Sequence, residues 1–392
     1  MRSELRSFPP AAHVAVVAAA IVVLLLAAAG CGGGGPTTSS APAAPTTSAG
    51  AGGSGGSSTT AAQAGGEVVV MTHDSFAVSD AVLAAFTAQT GLEVKVLKSG
   101  DAGAMLNQAI LAKDNPLADV MYGVDDTFLS RALDAGIFEP YESPGLKNVQ
   151  ASLQLDPQHR VAPIDIADVC VNYDKKAFAG AVKPPATLRD LTNPEYRGKL
   201  VVENPATSSP GLVFLLLTIA QFGETGEYTW QDYWKDLVKN DVLVDAGWEE
   251  AYYGSFSGGS GKGERPLVVS YSSSPVAEVV FSETPLKEAP TGVAPPVART
   301  QIEFAGVLKG AKNPEGARKW VDFMLSKRFQ EDMPLQMFVR PASDEAQMPP
   351  VYAQPGVAVG TLTYVSNDLV SYESIGKDRD RWIEEWTAIA LP

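Results

Sequence analysis

An α/β protein with a largely parallel sheet, exported from the cytoplasm, is what the sequence predicts. Three observations lead there. An apolar N-terminal run ends at a cysteine, a tract of Gly, Ser, Thr, Ala and Pro follows it, and short β-type runs then alternate with helical-period segments. From Val68 onward the composition is globular over about 325 residues, enough for two medium lobes and too much for one compact core.

The N-terminus reads as an address. Arg2 and Arg6 supply a positive region, Ala11 to Ala29 runs apolar with only His13 interrupting, and Ala28-Ala29-Gly30 precedes Cys31. This is the pattern of an export signal, and small residues before a cysteine fit its lipoprotein variant. Residues 1–30 are therefore expected to be a lipoprotein signal peptide, cut before a lipid-bearing Cys31. A membrane anchor is the alternative, since about twenty apolar residues span a bilayer. Both place the remainder outside the cytoplasm. Residues 31–66 carry no periodicity and read as a flexible stalk behind the lipidated cysteine.

Glu67-Val68-Val69-Val70-Met71 is the first strand, broken at Thr72-His73-Asp74-Ser75. Ala81 to Gln89 has helical spacing and stops at Gly91. Leu92 to Val96 alternates as a strand and leads into the loop Ser99-Gly100-Asp101-Ala102-Gly103. Met105, Leu106, Ala109, Ile110 and Leu111 recur at helical spacing. Asp119 to Asp125 is a strand, and Phe128 to Ala135 a helix ended by Gly136. The pattern then resumes as if in a second lobe. Ala167 to Tyr173 and Lys199 to Val202 are strands, Leu212 to Phe222 an apolar helix, and Leu267 to Tyr271 another strand. Ile302 to Leu308 and a helix from Pro314 to Ser326 follow. Near the end, Trp382 and Trp386 share one helix face at i, i+4.

Several chemistries lack their residues. The three histidines, His13, His73 and His159, are too few for a multi-histidine metal centre; no HExxH occurs, and no G-x-S-x-G elbow joins a strand to a helix. Gly258 to Gly263 imitates a phosphate-binding loop, but Phe256 holds its first glycine position and Gly263 follows Lys262, so a hairpin tip is expected. Only Cys31 and Cys170 are present, and Cys170 sits in a strand-like run as a buried small hydrophobe. A formal charge of −15 argues against nucleic acid and anionic lipid as partners and suits a cationic ligand.

Three features are candidate binding elements. Thr207-Ser208-Ser209-Pro210-Gly211 opens a helix, as a cap or as an anion site. Trp248 and Tyr271 stand at loop and strand ends, where α/β sheets bind ligands and where an aromatic face attracts a cation, unless both are core. Asp74 and Asp101 follow strands and serve either as turn residues or as negative charge beside a cation.

Taken in order, Thr72 to Phe76, Asp119 to Asp125, Asn204 to Gly211, Gly247 to Tyr252, Leu267 to Pro275 and Trp382 to Trp386 make residues 67–392 resemble the thiamine-binding proteins of bacterial ABC importers. The resemblance implies a two-lobed type II periplasmic-binding-protein fold, with hinge strands between lobes and the ligand in the interlobe cleft. It places lobe one at 67–165 plus 282–392 and lobe two at 166–281. It further implies a monomeric, non-catalytic receptor without cofactor or metal. Thiamine or a thiamine phosphate would be its ligand, an ABC permease with its cytoplasmic ATPase its partner, and the lipid on Cys31 its membrane contact. By position, Ser208 would meet a phosphate, with Trp248 and Tyr271 beside it. Asp74, Asp101 and Ala102 would line the other wall, and Phe338 would stand where the family often has a tryptophan. His73 and Ala277 replace two tyrosines associated with the pyrimidine, so that pocket is remodelled. Alternative ligands are a polyamine, an aminophosphonate or ferric iron. An exported thiamine-degrading or phosphate-releasing enzyme is the alternative of another class, and it needs a nucleophile that the sequence does not display.

Overall fold

The computed structural model describes residues 66–366 and 368–391; the signal, Cys31 and nearly all of the stalk lie outside them. Strands β1 (Glu67–Thr72), β2 (Glu93–Lys98) and β3 (Val120–Asp125) alternate with helices α1 (Asp80–Thr90), α2 (Ala102–Leu111) and α3 (Leu129–Asp134). Gly91, at φ 72°, ends α1 in a conformation that glycine adopts without a Cβ clash. Along β1 and β3 the side chains alternate between two cores. Val68, Val70, Val120 and Tyr122 face one, while Met71, Met121 and Val124 face the other, so helices cover both sides of the sheet.

The second half holds β4 (Ala162–Asp174), β5 (Leu200–Glu203), α4 (Ser209–Phe222), α5 (Trp230–Lys239), β6 (Leu243–Asp245), β7 (Leu267–Tyr271) and α6 (Ser274–Val280). The long strand β8 (Thr291–Val307) returns to the first half. It is followed by α7 (Pro314–Met324), α8 (Lys327–Gln336), the short strands β9 (Arg340–Pro341) and β10 (Thr363–Tyr364), and α9 (Tyr372–Ala390). The sheet runs β2-β1-β3-β8-β4-β7-β5-β6.

A largely parallel sheet describes only its flanks. β1 pairs in parallel with β2 and β3, and β5 with β6 and β7, but β3–β8, β8–β4 and β4–β7 are antiparallel. The two long strands cross between the halves, so each half keeps its βα order while the centre does not. β8 is far longer than its apolar stretch from Ile302 suggests. Pro295 and Pro296 fall where the β4–β8 register slips between Cys170–Ala298 and Asn172–Val293, the place where residues without an N–H are tolerated. The helix expected from Pro314 to Ser326 stops at Met324, and Ser326 caps α8 by accepting the Phe329 N–H. Nor is the stretch from Gly258 to Gly263 a hairpin tip. Its flanks meet as a parallel bridge, Phe256 to Arg265, and it follows a π-helical turn, Glu250–Ser255.

Helix α9 packs on α3 from one half and α5 from the other. Trp382 and Trp386 are both buried, and Trp386 meets Trp234 edge-on at 5.4 Å, a geometry that adds about 0.5–1.5 kcal/mol to area burial.

Candidate functional site

Parallel strands gather their carboxyl ends on one side of a sheet, and here both flanks point those ends at the gap between them. The residues after β1 and β2 face the residues after β6 and β7 across a cavity of about 410 Å³. Glu303 and Ala167, on the long strands, form its floor.

Trp248 dominates one wall. Its indole N–H donates to the Ser270 hydroxyl at 2.9 Å, and one ring face stacks on Tyr252 at 5.0 Å and 20°. Tyr253 and Tyr271 meet it at 5.5 and 6.0 Å. Burial, and then the charges of Glu303, Asp101, Glu203 and Asp125, push the Tyr271 phenol well above its usual range. Opposite, Phe338 packs edge-on against Phe281 at 5.1 Å, and its backbone holds φ 58°. Ala102, the buried first residue of α2, completes that side.

Asp101 spends both carboxylate oxygens on backbone. Oδ1 accepts the Ala102 N–H at 2.7 Å and Oδ2 the Trp248 N–H at 3.0 Å. His73 sits over Gly123, where any Cβ would overlap the imidazole, and lies 5.6 Å from the Tyr122 ring. Its Nε2 is 3.6 Å from Glu303 Oε1 and has no hydrogen-bond partner among the described residues.

Six of the eight expected contacts thus line the cavity: His73, Asp101, Ala102, Trp248, Tyr271 and Phe338. Two stand elsewhere. Asp74 accepts the Gly100 N–H at 2.9 Å through Oδ1 and lines a smaller adjoining cavity of about 370 Å³. Ser208 is wholly buried, its hydroxyl makes no cap bond, and Ser209 takes the place on the cavity wall. Sequence reasoning passed over Tyr252, Tyr253, Glu249, Glu278, Phe281 and Glu303, all of which line the cavity. Tyr252 and Tyr253 lie on the π-helical turn after Trp248, with Glu249 as its N-cap, and the five-residue spacing of that turn has no sequence signature.

The electrostatics have one sign. Asp101, Glu249, Glu278 and Glu303 line the cavity, and among the described residues no lysine or arginine does. Arg299 is held by Asp126 at 2.9 Å and Arg340 by Asp168 at 2.7 Å. At the end of β5, Glu203 is buried without a partner among the described residues, and burial and Asp101 push its carboxyl well above the usual range. Cys170 is buried in β4 away from the cavity, and burial pushes its thiol up, which disfavours a nucleophilic thiolate.

Residues 115–362 match the family described as bacterial extracellular solute-binding protein. The chain is 28% identical over 324 residues to the thiamine-binding periplasmic protein of Salmonella typhimurium, covering 81% of this chain and 92% of that one. It is 30% identical over 331 residues to the thiamine-binding periplasmic protein of Brucella abortus, covering 82% and 91%. A solved periplasmic thiamin binding protein shares its fold at a TM-score of 0.70 and 26% identity, over 83% of this chain and 96% of that chain.

Proposed function

This chain belongs to the bacterial extracellular solute-binding protein family, and from that premise we propose that it captures thiamine for an ABC importer. One observation carries the reading of the ligand: an aromatic wall and four carboxylates share a cavity without a lysine or arginine among the described residues. Thiamine's thiazolium is a flat, weakly hydrated cation. An aromatic face attracts it and also removes its apolar area from water. A polyamine shares the charge and lacks the flat surface. A phosphate would meet carboxylates without a countercharge, which favours thiamine over its phosphates.

The receptor is proposed to act without catalysis, as a monomer, and to hand its cargo to a permease driven by a cytoplasmic ATPase. Its similarity to thiamine-binding periplasmic proteins and the buried position of Cys170 support a receptor without catalysis. Lobe one, 67–165 with 282–392, would close on lobe two, 166–281, by bending β4 and β8. Helix α9, which touches both halves, would follow that motion. Cys31 would carry the lipid that tethers the chain. Cys31→Ser should then release or mis-process the protein, and a mutant that still fractionates with membranes at the original processed mass refutes the tether. Titration with thiamine beside a neutral thiazole of matching shape tests the cargo. Equal binding of the two would end the cationic reading.

A further inference from the structure

At the cavity floor, two acids face each other on the crossing strands. Asp165 of β4 and Glu303 of β8 are register partners, both buried, and they sit beside a slip in the ladder between Pro163 and Asp165. The Tyr122 hydroxyl, from β3, lies 2.6 Å from Asp165 Oδ2 and 3.2 Å from Glu303 Oε2. A phenol carries a single proton, so it donates to only one of them. Asp165 Oδ1 has no partner among the described residues. Glu303 reaches the cavity, with Oε1 toward His73 at 3.6 Å.

The titratable groups around the pair come from several elements: His73 after β1, Tyr122 and Asp125 on β3, and Tyr271 on β7. Neither acid has a lysine or arginine partner among the described residues; Arg299, on the same strand as Glu303, is taken by Asp126. Two carboxylates in such a place do not both ionise, because each raises the cost of the other's charge in a low dielectric. Burial and the charge of Glu303 accordingly push Asp165 well above the carboxylate range.

We propose that Glu303 is the carboxylate that neutralises the bound cation, and that capture and release of the cargo are tied to the proton content of the Asp165–Glu303 pair. This rests on the cationic-cargo reading above. With one proton the pair carries a single negative charge, which the ligand cation balances. A second proton removes that charge and leaves the cation without its partner. Affinity therefore falls as pH falls, by up to about tenfold per pH unit for one proton exchanged. Binding in turn releases a proton. An acidic setting unloads the receptor.

The test uses the full chain, with thiamine and a simple thiazolium salt as probes, from about pH 5 to pH 8. The thiazolium salt has no titrating pyrimidine, so its pH profile belongs to the protein. Wild type should bind both probes more weakly toward acid, with a heat of binding that depends on the buffer's ionisation enthalpy. Glu303→Gln should be at least about tenfold weaker at pH 8 and its profile flat. Asp165→Asn should keep the limb near its wild-type position, because the amide stands beside Glu303 as the protonated, uncharged Asp165 does. Thermal melts of both variants establish that they fold. A wild-type profile that is flat for both probes overturns the pair's role while leaving the cargo reading intact. So does a slope that His73→Gln removes and Glu303→Gln retains. Failure of wild type to bind thiamine at any pH overturns both.

Discussion

Asp101, at the start of α2, accepts the backbone N–H of Trp248 from the opposite half of the molecule at 3.0 Å. A Cβ on Gly247 would lie 3.2 Å from the same oxygen, so glycine permits this approach. A second tie runs alongside, from the Gly103 N–H to the Thr207 carbonyl at 3.0 Å. Asp101 is thus a clasp between the halves as well as a helix cap.

Asp101→Ala should release thiamine faster and bind it roughly tenfold or more weakly, since a hydrogen bond to a charged group contributes about 1.5–3 kcal/mol. Asp101→Asn keeps one of the two acceptor oxygens and should lose less than alanine. Stopped-flow tryptophan fluorescence reads the dissociation rate, and an unchanged rate in the alanine variant would rule out the clasp.

In the proposed site Trp248 would offer the ligand the indole face that Tyr252 does not cover. Trp248→Ala should cost at least about tenfold in thiamine affinity, because a desolvated cation–π contact contributes roughly 2 kcal/mol. A neutral thiazole should lose clearly less. A variant with a lower melting temperature and unchanged affinity would make Trp248 part of the core alone.

The family resemblance implies that Ser208 touches a phosphate, and the structure buries it with a hydroxyl that has no partner among the described residues. Removing such a group costs little. Ser208→Ala should leave thiamine affinity within about twofold and keep or raise the melting temperature. A selective loss for thiamine phosphates would restore the phosphate role.

Asp125 is fully buried at the end of β3. Burial, and then Asp126, push its carboxyl from 3.8 up to about 7, against the pull of Ser209 and Thr127. Between those values the folded chain holds a proton that the unfolded chain has lost, so this group's contribution to stability declines as pH rises through the window. Asp125→Asn does not ionise and keeps an acceptor for Thr127 and Phe128. Its melting temperature should rise relative to wild type from about pH 4 to pH 7. A constant difference across that range would count against the shift.

The strands and helices around β1 to β3 were legible because each carries its own period and its own stop, Gly91 and Gly136 among them. What escaped depends on long-range pairing. β8 is interrupted by two prolines that only a bulge opposite β4 accommodates, and the antiparallel centre of the sheet follows from that crossing. At the site, Trp248, Tyr271 and Asp101 were visible as residues at strand ends, and His73 through the family resemblance. Glu303 lies inside an alternating run with nothing to mark its side chain as cavity-facing. Ser208 and Ser209 differ by one position, and which of them faces the cleft is decided by how α4 enters the core.

One calorimetric titration of the full chain with thiamine, its mono- and diphosphates, and spermidine tests the choice of ligand most directly. Thiamine should bind tightest, each added phosphate should weaken binding as the cavity's carboxylates repel it, and spermidine should bind more weakly than thiamine. Tighter binding of a phosphate ester, or of spermidine, would contradict the reading of this cavity as a site for a flat organic cation.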